Sequence, residues 1–209
     1  MKRRTVFTML VAALLVVCGF GLVACGGLSP EQAIRQTLEE EFEDVKSGKG
    51  NSDLAESLTE EFDGDLDSYG IDSEEFSKAY LEGFDYKIGD ITVDEQKGSA
   101  TAEVSITMKP IMEMIQSFTV RMLSAASELP EDATEDDYNA LTGKIMMEEL
   151  SKLEPKTVDT EIIYNKNSDG DWEPDEQSVN KAFTAAALGT SDASTIEAFS
   201  ALAEQGSAQ

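Results

Sequence analysis

The residues with the strongest claim to chemistry lie between positions 165 and 181. Asn165, Asn167, Asp169, Gly170 and Asp171, with Glu176 beyond them, fall in the register of a calcium-binding loop. That register asks for oxygen ligands at positions one, three and five, glycine at six and glutamate at twelve, so that small oxygen side chains on a tight turn wrap a hard cation. Three features oppose it. The preceding segment has the period of a strand, position one is Asn where a carboxylate is usual, and Pro174 falls inside the loop. A hairpin turn calls for the same Asn, Asp and Gly residues, so a turn is expected and no metal ligand is assigned. Ser178-Val179-Asn180-Lys181 fits the S-x-x-K pattern in which a lysine activates a serine nucleophile. The companion elements are missing, since Lys156-Thr157 is followed by Val158, and a four-residue match arises easily by chance. No catalytic residue is assigned.

The remaining reactive groups are too common or too few to single out a site. With 42 acidic residues, some pair of carboxylates must stand at the separation glycoside chemistry needs, so no one pair is informative. Six methionines between Met108 and Met147 could line a soft apolar groove, although packing of two long helices accounts for them more simply. Histidine is absent, and the two cysteines are Cys18 and Cys25.

Cys25 stands in a context of its own. A basic head (Lys2, Arg3, Arg4) precedes an apolar run from Val6 to Gly21, then Leu22-Val23-Ala24-Cys25-Gly26-Gly27. Charge, apolar core and small residues in that order make an export signal. The L-V-A-C ending resembles the bacterial lipoprotein lipobox. The resemblance implies a diacylglyceryl group on the Cys25 sulfur and cleavage that leaves Cys25 as the first residue. A transmembrane anchor is the weaker reading, because the apolar run is too short and a glycine pair follows at once. On this reading residues 1–24 are the signal peptide and 25–28 a lipidated tether. A single α+β domain occupies 29–189, and 190–209 form a C-terminal tail with a short helix.

Removal of residues 1–24 leaves 185 of the 209 residues, enough for one domain with a proper core. Losing Lys2, Arg3 and Arg4 takes the formal charge from −26 to about −29. Nucleic acid is excluded as a partner, since phosphate contacts need lysines and arginines and the net field is repulsive. Adhesion to anionic head groups is excluded for the same reason, so attachment falls to the lipid, whose two chains satisfy the requirement for stable anchoring. From Gly26 to Ser29 the tether spans at most about 14 Å at roughly 3.5 Å per residue. The body is therefore held close to a bilayer that repels it, and divalent cations are expected to soften the repulsion. With Cys18 removed, Cys25 blocked and histidine absent, serine–histidine and cysteine–histidine nucleophiles are excluded. So are thiolate or imidazole sites for zinc, copper or haem iron. No cofactor is expected.

The elements that would position any site follow from hydrophobic period. Ser29-Pro30-Glu31-Gln32 starts a helix with a capping box, and Ile34, Leu38, Phe42 and Val45 recur on one face up to Gly48. A short helix is expected over Asp53–Phe62 and another from Asp72, carrying Phe76, Tyr80 and Phe84. The period then shortens to two. Tyr86 and Ile88 alternate, Gly89-Asp90 shifts the phase, and Ile91 and Val93 resume it, which predicts a bulged strand. Ala100, Ala102, Val104, Ile106 and Met108 alternate against Thr101, Glu103, Ser105, Thr107 and Lys109, predicting a half-buried partner strand. Two long helices follow. The first runs from Pro110 with Ile111, Ile115, Phe118, Met122 and Leu129 on one side, the second from Thr134 with Tyr138, Leu141, Ile145 and Leu150, as far as Leu153. Val158 to Tyr164 and Asp171-Trp172-Glu173 make a second hairpin about the Asp169-Gly170 turn. A helix from about Ser178 to Leu188 is capped by Gly189, and a weakly apolar one from Ser194 to Ala203 is boxed by Glu197.

That order is similar to the cystatin-like roll of the nuclear-transport-factor-like superfamily, and more narrowly to lipoproteins of Gram-positive bacteria built on it. The residues carrying the resemblance are the lipobox, Ala100-Thr101-Ala102-Glu103-Val104, and Tyr164 through Trp172. It covers residues 29–188. The helical pair at 110–153 departs from the simplest roll. The resemblance implies an α+β fold: a curved antiparallel sheet of two hairpins packed with N-terminal and inserted helices. It also implies a conical cavity that Tyr80, Tyr86, Ile106, Ile162, Tyr164 and Trp172 either line or fill, and filling is the expectation.

The functional expectation is a lipid-anchored, extracytoplasmic, non-catalytic binding or interaction module of the cell envelope. Its partners would be the membrane, through the N-terminal lipid, and a small ligand, a peptide or an envelope protein met by the concave sheet. The alternatives are an envelope enzyme using a cavity carboxylate and tyrosine, and a divalent-cation-responsive surface protein.

Overall fold

A computed structural model describes residues 27–47, 66–130 and 132–206. The segment expected to be a signal peptide, Cys25 and the helix expected over Asp53–Phe62 lie outside the described residues. The chain is α+β. Helix α1 (Pro30–Ser47) leads to a 3-10 turn (Leu66–Tyr69), helix α2 (Ser73–Leu81) and the hairpin β1 (Asp85–Asp94) and β2 (Ser99–Met108). Helices α3 (Ile111–Ala126) and α4 (Glu135–Leu150) come next, followed by β3 (Lys156–Lys166), β4 (Trp172–Pro174), α5 (Glu176–Leu188) and α6 (Ala193–Gly206). The four strands form one antiparallel sheet in the order β1-β2-β3-β4.

Local chemistry sets most of these boundaries. Ser29 Oγ accepts from the Gln32 N–H while Gln32 Oε1 accepts from the Ser29 N–H, closing the box that starts α1. Asp72, Thr134 and Asp175 each accept a backbone N–H three residues on and so cap α2, α4 and α5. Gly189 ends α5 at φ 67°, a conformation glycine adopts without strain. The register of β1 slips between Ile88 and Ile91, as the Gly89-Asp90 phase shift predicts. The box expected at Ser194 and Glu197 does not form. Asp192 Oδ1 instead takes the Thr195 N–H and both nearby hydroxyls, and the helix starts at Ala193.

Burial follows period two on β2, where Ala100, Ala102, Val104, Ile106 and Met108 all face inward. Helix α1 lays Ile34, Leu38, Phe42 and Val45 on that face, and α5 adds Val179, Ala182, Phe183 and Ala186. Each large side chain so buried contributes about 1.5–3 kcal/mol. Ile196 of α6 seats in a smaller cluster with Val158 and Ala185.

Three expectations about faces fail. Of α3, only Met114 is fully buried, while Ile115 is exposed and Val120 and Leu123 are 72% and 75% exposed. The apolar stripe of this helix is wider than the surface it buries, so Ile111, Phe118 and Met122 are half-buried while Ile115 stays exposed. Tyr138 of α4 is likewise exposed, and that helix ends at Leu150, three residues before the expected Leu153. Lys109 was expected on the wet side of β2, yet it is only 2% exposed. The strand stops at Met108, and past its end the alternation no longer governs direction.

Candidate functional site

The 165–176 segment is built as a hairpin turn. Asn167 Oδ1 accepts the backbone N–H of Asp169 (3.0 Å) and of Asp171 (2.9 Å), and Asn167 Nδ2 donates to Glu173 Oε1 (2.7 Å). The oxygen that the calcium register needs at position three is committed to two backbone donors. Asn165 lies on β3, opposite Glu173 of β4, and Glu176 is the first residue of α5. Among the described residues, no group of three or more His, Cys, Asp or Glu is arranged to hold a metal ion.

Ser178 is structural. Its Oγ accepts from the Ile163 N–H (2.9 Å) and donates to the Asp175 carbonyl (2.8 Å), so the hydroxyl ties the first turn of α5 to β3. Lys181 stands exposed on that helix while Ser178 is buried.

The six residues expected to line or fill a cone are all part of the packed core or its margin. Tyr80, Ile106, Ile162 and Tyr164 are buried in the core, with Tyr86 and Trp172 packed at its margin. Phe42 is the hub, with ring centroids 5.1 Å from Tyr86, 6.1 Å from Phe183 and 6.5 Å from Phe84. Burial, with a smaller contribution from the Glu41 charge, pushes the Tyr164 phenol well above its ordinary value. Tyr86 is also raised, first by desolvation and then by Glu43, to whose Oε2 its hydroxyl donates at 3.3 Å. The sheet's inner face is thus occupied by α1 and α5. Its outer face stays wet and polar: Ser105 Oγ donates to Asp159 Oδ1 (2.6 Å), and the Thr107 and Thr157 hydroxyls pair at 2.7 Å.

Two surface depressions stand out. One, of about 370 Å3, lies between the start of α1 and the β1 bulge and is lined by Glu31, Gln32, Arg35, Asp90, Ile91 and Thr92. The Arg35 guanidinium there donates to the Ile88 carbonyl (3.2 Å) and the Gly89 carbonyl (2.6 Å), which closes the bulge. The other, about 540 Å3 and mostly apolar, lies where α3, α5 and α6 meet, with Met112, Gln116, Leu188, Ala198 and Phe199 among its walls. Met114 is buried, and Met146 and Met147 pack against the core, which is the helix-packing role expected of the methionines.

Sequence reasoning missed two buried ionic groups. Lys109 Nζ donates to the Ala79 carbonyl (2.8 Å) and to Glu82 Oε2 (3.1 Å), so it caps the end of α2. Glu149, nearly buried, receives Arg121 Nη1 (3.0 Å) and Lys152 Nζ (2.6 Å), while the other arm of Arg121 pairs with Glu148. That network joins α3 to α4. The hint for Glu149 was a charged residue four positions after Ile145, where the helical period calls for an apolar one; Lys109 gave none, because the alternation of β2 places it among the polar residues.

Among the described residues, no helix is long and apolar enough to cross a membrane. No family model matches the chain, and no curated protein matches it significantly. Among solved structures, it is similar to the crystal structure of a candidate lipoprotein, YcdA, from Bacillus subtilis subsp. subtilis str. 168. The TM-score is 0.41 and the identity 17%, over 76% of this chain and 55% of that one. The likeness spans little more than half of that protein and transfers no function, so the functional reading rests on the residues.

Proposed function

We propose that the protein is a lipid-anchored, non-catalytic interaction module held through Cys25 at the outer face of the cytoplasmic membrane, on a body of the cystatin-like roll type. The observation that carries the non-catalytic part is the filled inner face: Phe42, Tyr164 and Phe183 occupy the space where a roll enzyme would hold its substrate. The groups with chemical potential near the core have structural work, Ser178 at a helix start and Lys109 at a helix end. The rival, an enzyme using a carboxylate and a tyrosine, draws on the influence of Glu41 on Tyr164, but neither residue lines either of the two depressions.

The anchor reading also implies an orientation. The first turn of α1 lies beside residues 90–92, near the end of the sheet where the turns at 95–98 and 167–171 gather. The last turn of α1 lies at the opposite end, where Lys46 meets Asp85 and where β2 hands over to α3. A tether of four residues would hold the turn end toward the bilayer and leave the α3–α4 pair pointing away.

Two measurements test the proposal. Mass spectrometry of the N-terminal peptide should find a diacylglyceryl thioether on Cys25, and the Cys25→Ala protein should leave the membrane fraction. An unmodified Cys25 in a membrane-free protein overturns the anchor. Nitration by tetranitromethane should spare Tyr164 while modifying the exposed Tyr138. Equal modification of the two would mean an open cone and would return the enzyme reading.

A further inference from the structure

The two edges of the sheet are treated differently. On β1 the outward edge is broken by the Gly89-Asp90 bulge, and Arg35 caps two of its carbonyls, which is how natural sheets blunt an edge. On β3 the alternate residues that turn away from β2 are the odd ones: the Ile163 carbonyl accepts from the Asp175 N–H and the Ile163 N–H donates to Ser178. Strand β4 pairs only with residues 164–166. From Thr157 to Glu161, therefore, the outward N–H and C=O groups of Thr157, Asp159 and Glu161 have no partner among the described residues. The edge is straight, without a bulge, and all three residues are exposed.

We propose that this edge accepts an extended segment of a partner protein by strand addition, and that the segment alternates basic and apolar residues. Main-chain pairing would supply the affinity and alternate side chains the choice of partner. On the outer face the added strand meets Asp159 and Glu161, with Glu103 opposite Glu161 on β2. On the inner face it reaches the half-buried Leu188, which packs against the buried Val158 and Ile196. A second copy of the chain fits poorly. Antiparallel self-pairing centred on Asp159 would set Asp159 against its own image, and like charges directly opposite are unfavourable. The formal charge of −26 adds to that repulsion and favours a basic partner. The proposal rests on the reading of the protein as an interaction module but not on the lipid, which the Cys25 analysis tests on its own.

The probe is a synthetic peptide of alternating lysine and valine, added to the full chain in neutral detergent, with binding read by anisotropy and amide exchange read by NMR. Binding should slow exchange at Thr157, Asp159 and Glu161. The Glu161→Pro protein, which lacks one outward N–H and keeps the β2 ladder, should bind about tenfold more weakly. Glu161→Gln should lose less and should mainly lose salt dependence. A peptide N-methylated at every second residue should not bind, and this arm holds even if the proline variant misfolds. Equal binding by the methylated peptide, protection confined to other elements, or no binding at all would each overturn the proposal. So would concentration-dependent protection of this edge without peptide, which would mean that a second copy occupies it.

Discussion

Single residues in this fold hold positions that their type alone would not suggest. Lys109 Nζ supplies a donor to the end of α2 from inside the body. Lys109→Ala should cost about 1–3 kcal/mol in urea unfolding, because the Ala79 carbonyl is left unsatisfied. Glu82→Gln, at an exposed carboxylate, should cost under about 1 kcal/mol. Gly143 is the reverse case, a glycine within α4 where alanine would ordinarily gain about 1 kcal/mol. A Cβ there would lie 2.1 Å from the Tyr69 carbonyl oxygen, which is backbone and cannot swing aside. The steric effect wins, and Gly143→Ala should destabilise by about 1–3 kcal/mol, read as a lower thermal midpoint.

Between elements, caps and ion pairs add to the apolar contacts of the core. Asp175 starts α5, the helix that fills the inner face, by accepting the Ser178 N–H. Asp175→Ala should cost about 1 kcal/mol, and Asp175→Asn should retain most of the stability. The α3–α4 contact depends on Glu149, whose carboxyl is held below its ordinary value of 4.5, chiefly by the Lys152 hydrogen bond and further by Ser117 and Arg121, against the opposing effect of burial. A carboxyl lowered in the folded state stabilises fully above its ordinary value and loses that contribution as pH falls through the lowered one. Urea midpoints of the parent protein should therefore drop on acidification below pH 4.5. Glu149→Gln should start lower near neutral pH and show a shallower acid slope; an identical slope would mean that Glu149 does not carry this dependence.

At the scale of the whole molecule, the proposed tether and the placement of α1 make orientation measurable. In the mature lipidated chain an introduced cysteine would be the sole free thiol. A fluorophore on Gln96→Cys, in the β1–β2 turn, should be strongly quenched by nitroxide lipids in vesicles. The same fluorophore on Glu128→Cys, beyond α3, should be quenched little. Equal quenching would show that the body lies flat or turns freely on its tether. A standing orientation would also leave the β3 edge accessible from the side, where an extended partner could approach without displacing lipid.

Much of this was legible in the residues. The Ser29–Gln32 box, the bulge at Gly89-Asp90, the inward row from Ala100 to Met108 and the turn at Asn167–Gly170 all depend on neighbours within a few positions. Period and cap chemistry report such neighbours directly. The sequence by itself determined most of the described elements and the absence of imidazole, and its resemblance to a lipobox is left for chemistry on Cys25 to test. The tertiary structure alone decided that Phe42 and Phe183 pack on the inner face of the sheet, that Lys109 is buried, that Gly143 must stay bare and that the β3 edge is unpaired among the described residues. Those outcomes depend on which surfaces meet across dozens of residues, as when Ser105 meets Asp159 54 positions on. A helix such as α3, whose apolar stripe is wider than its contact, or a strand followed by a three-residue partner, carries no local mark of what will pack against it.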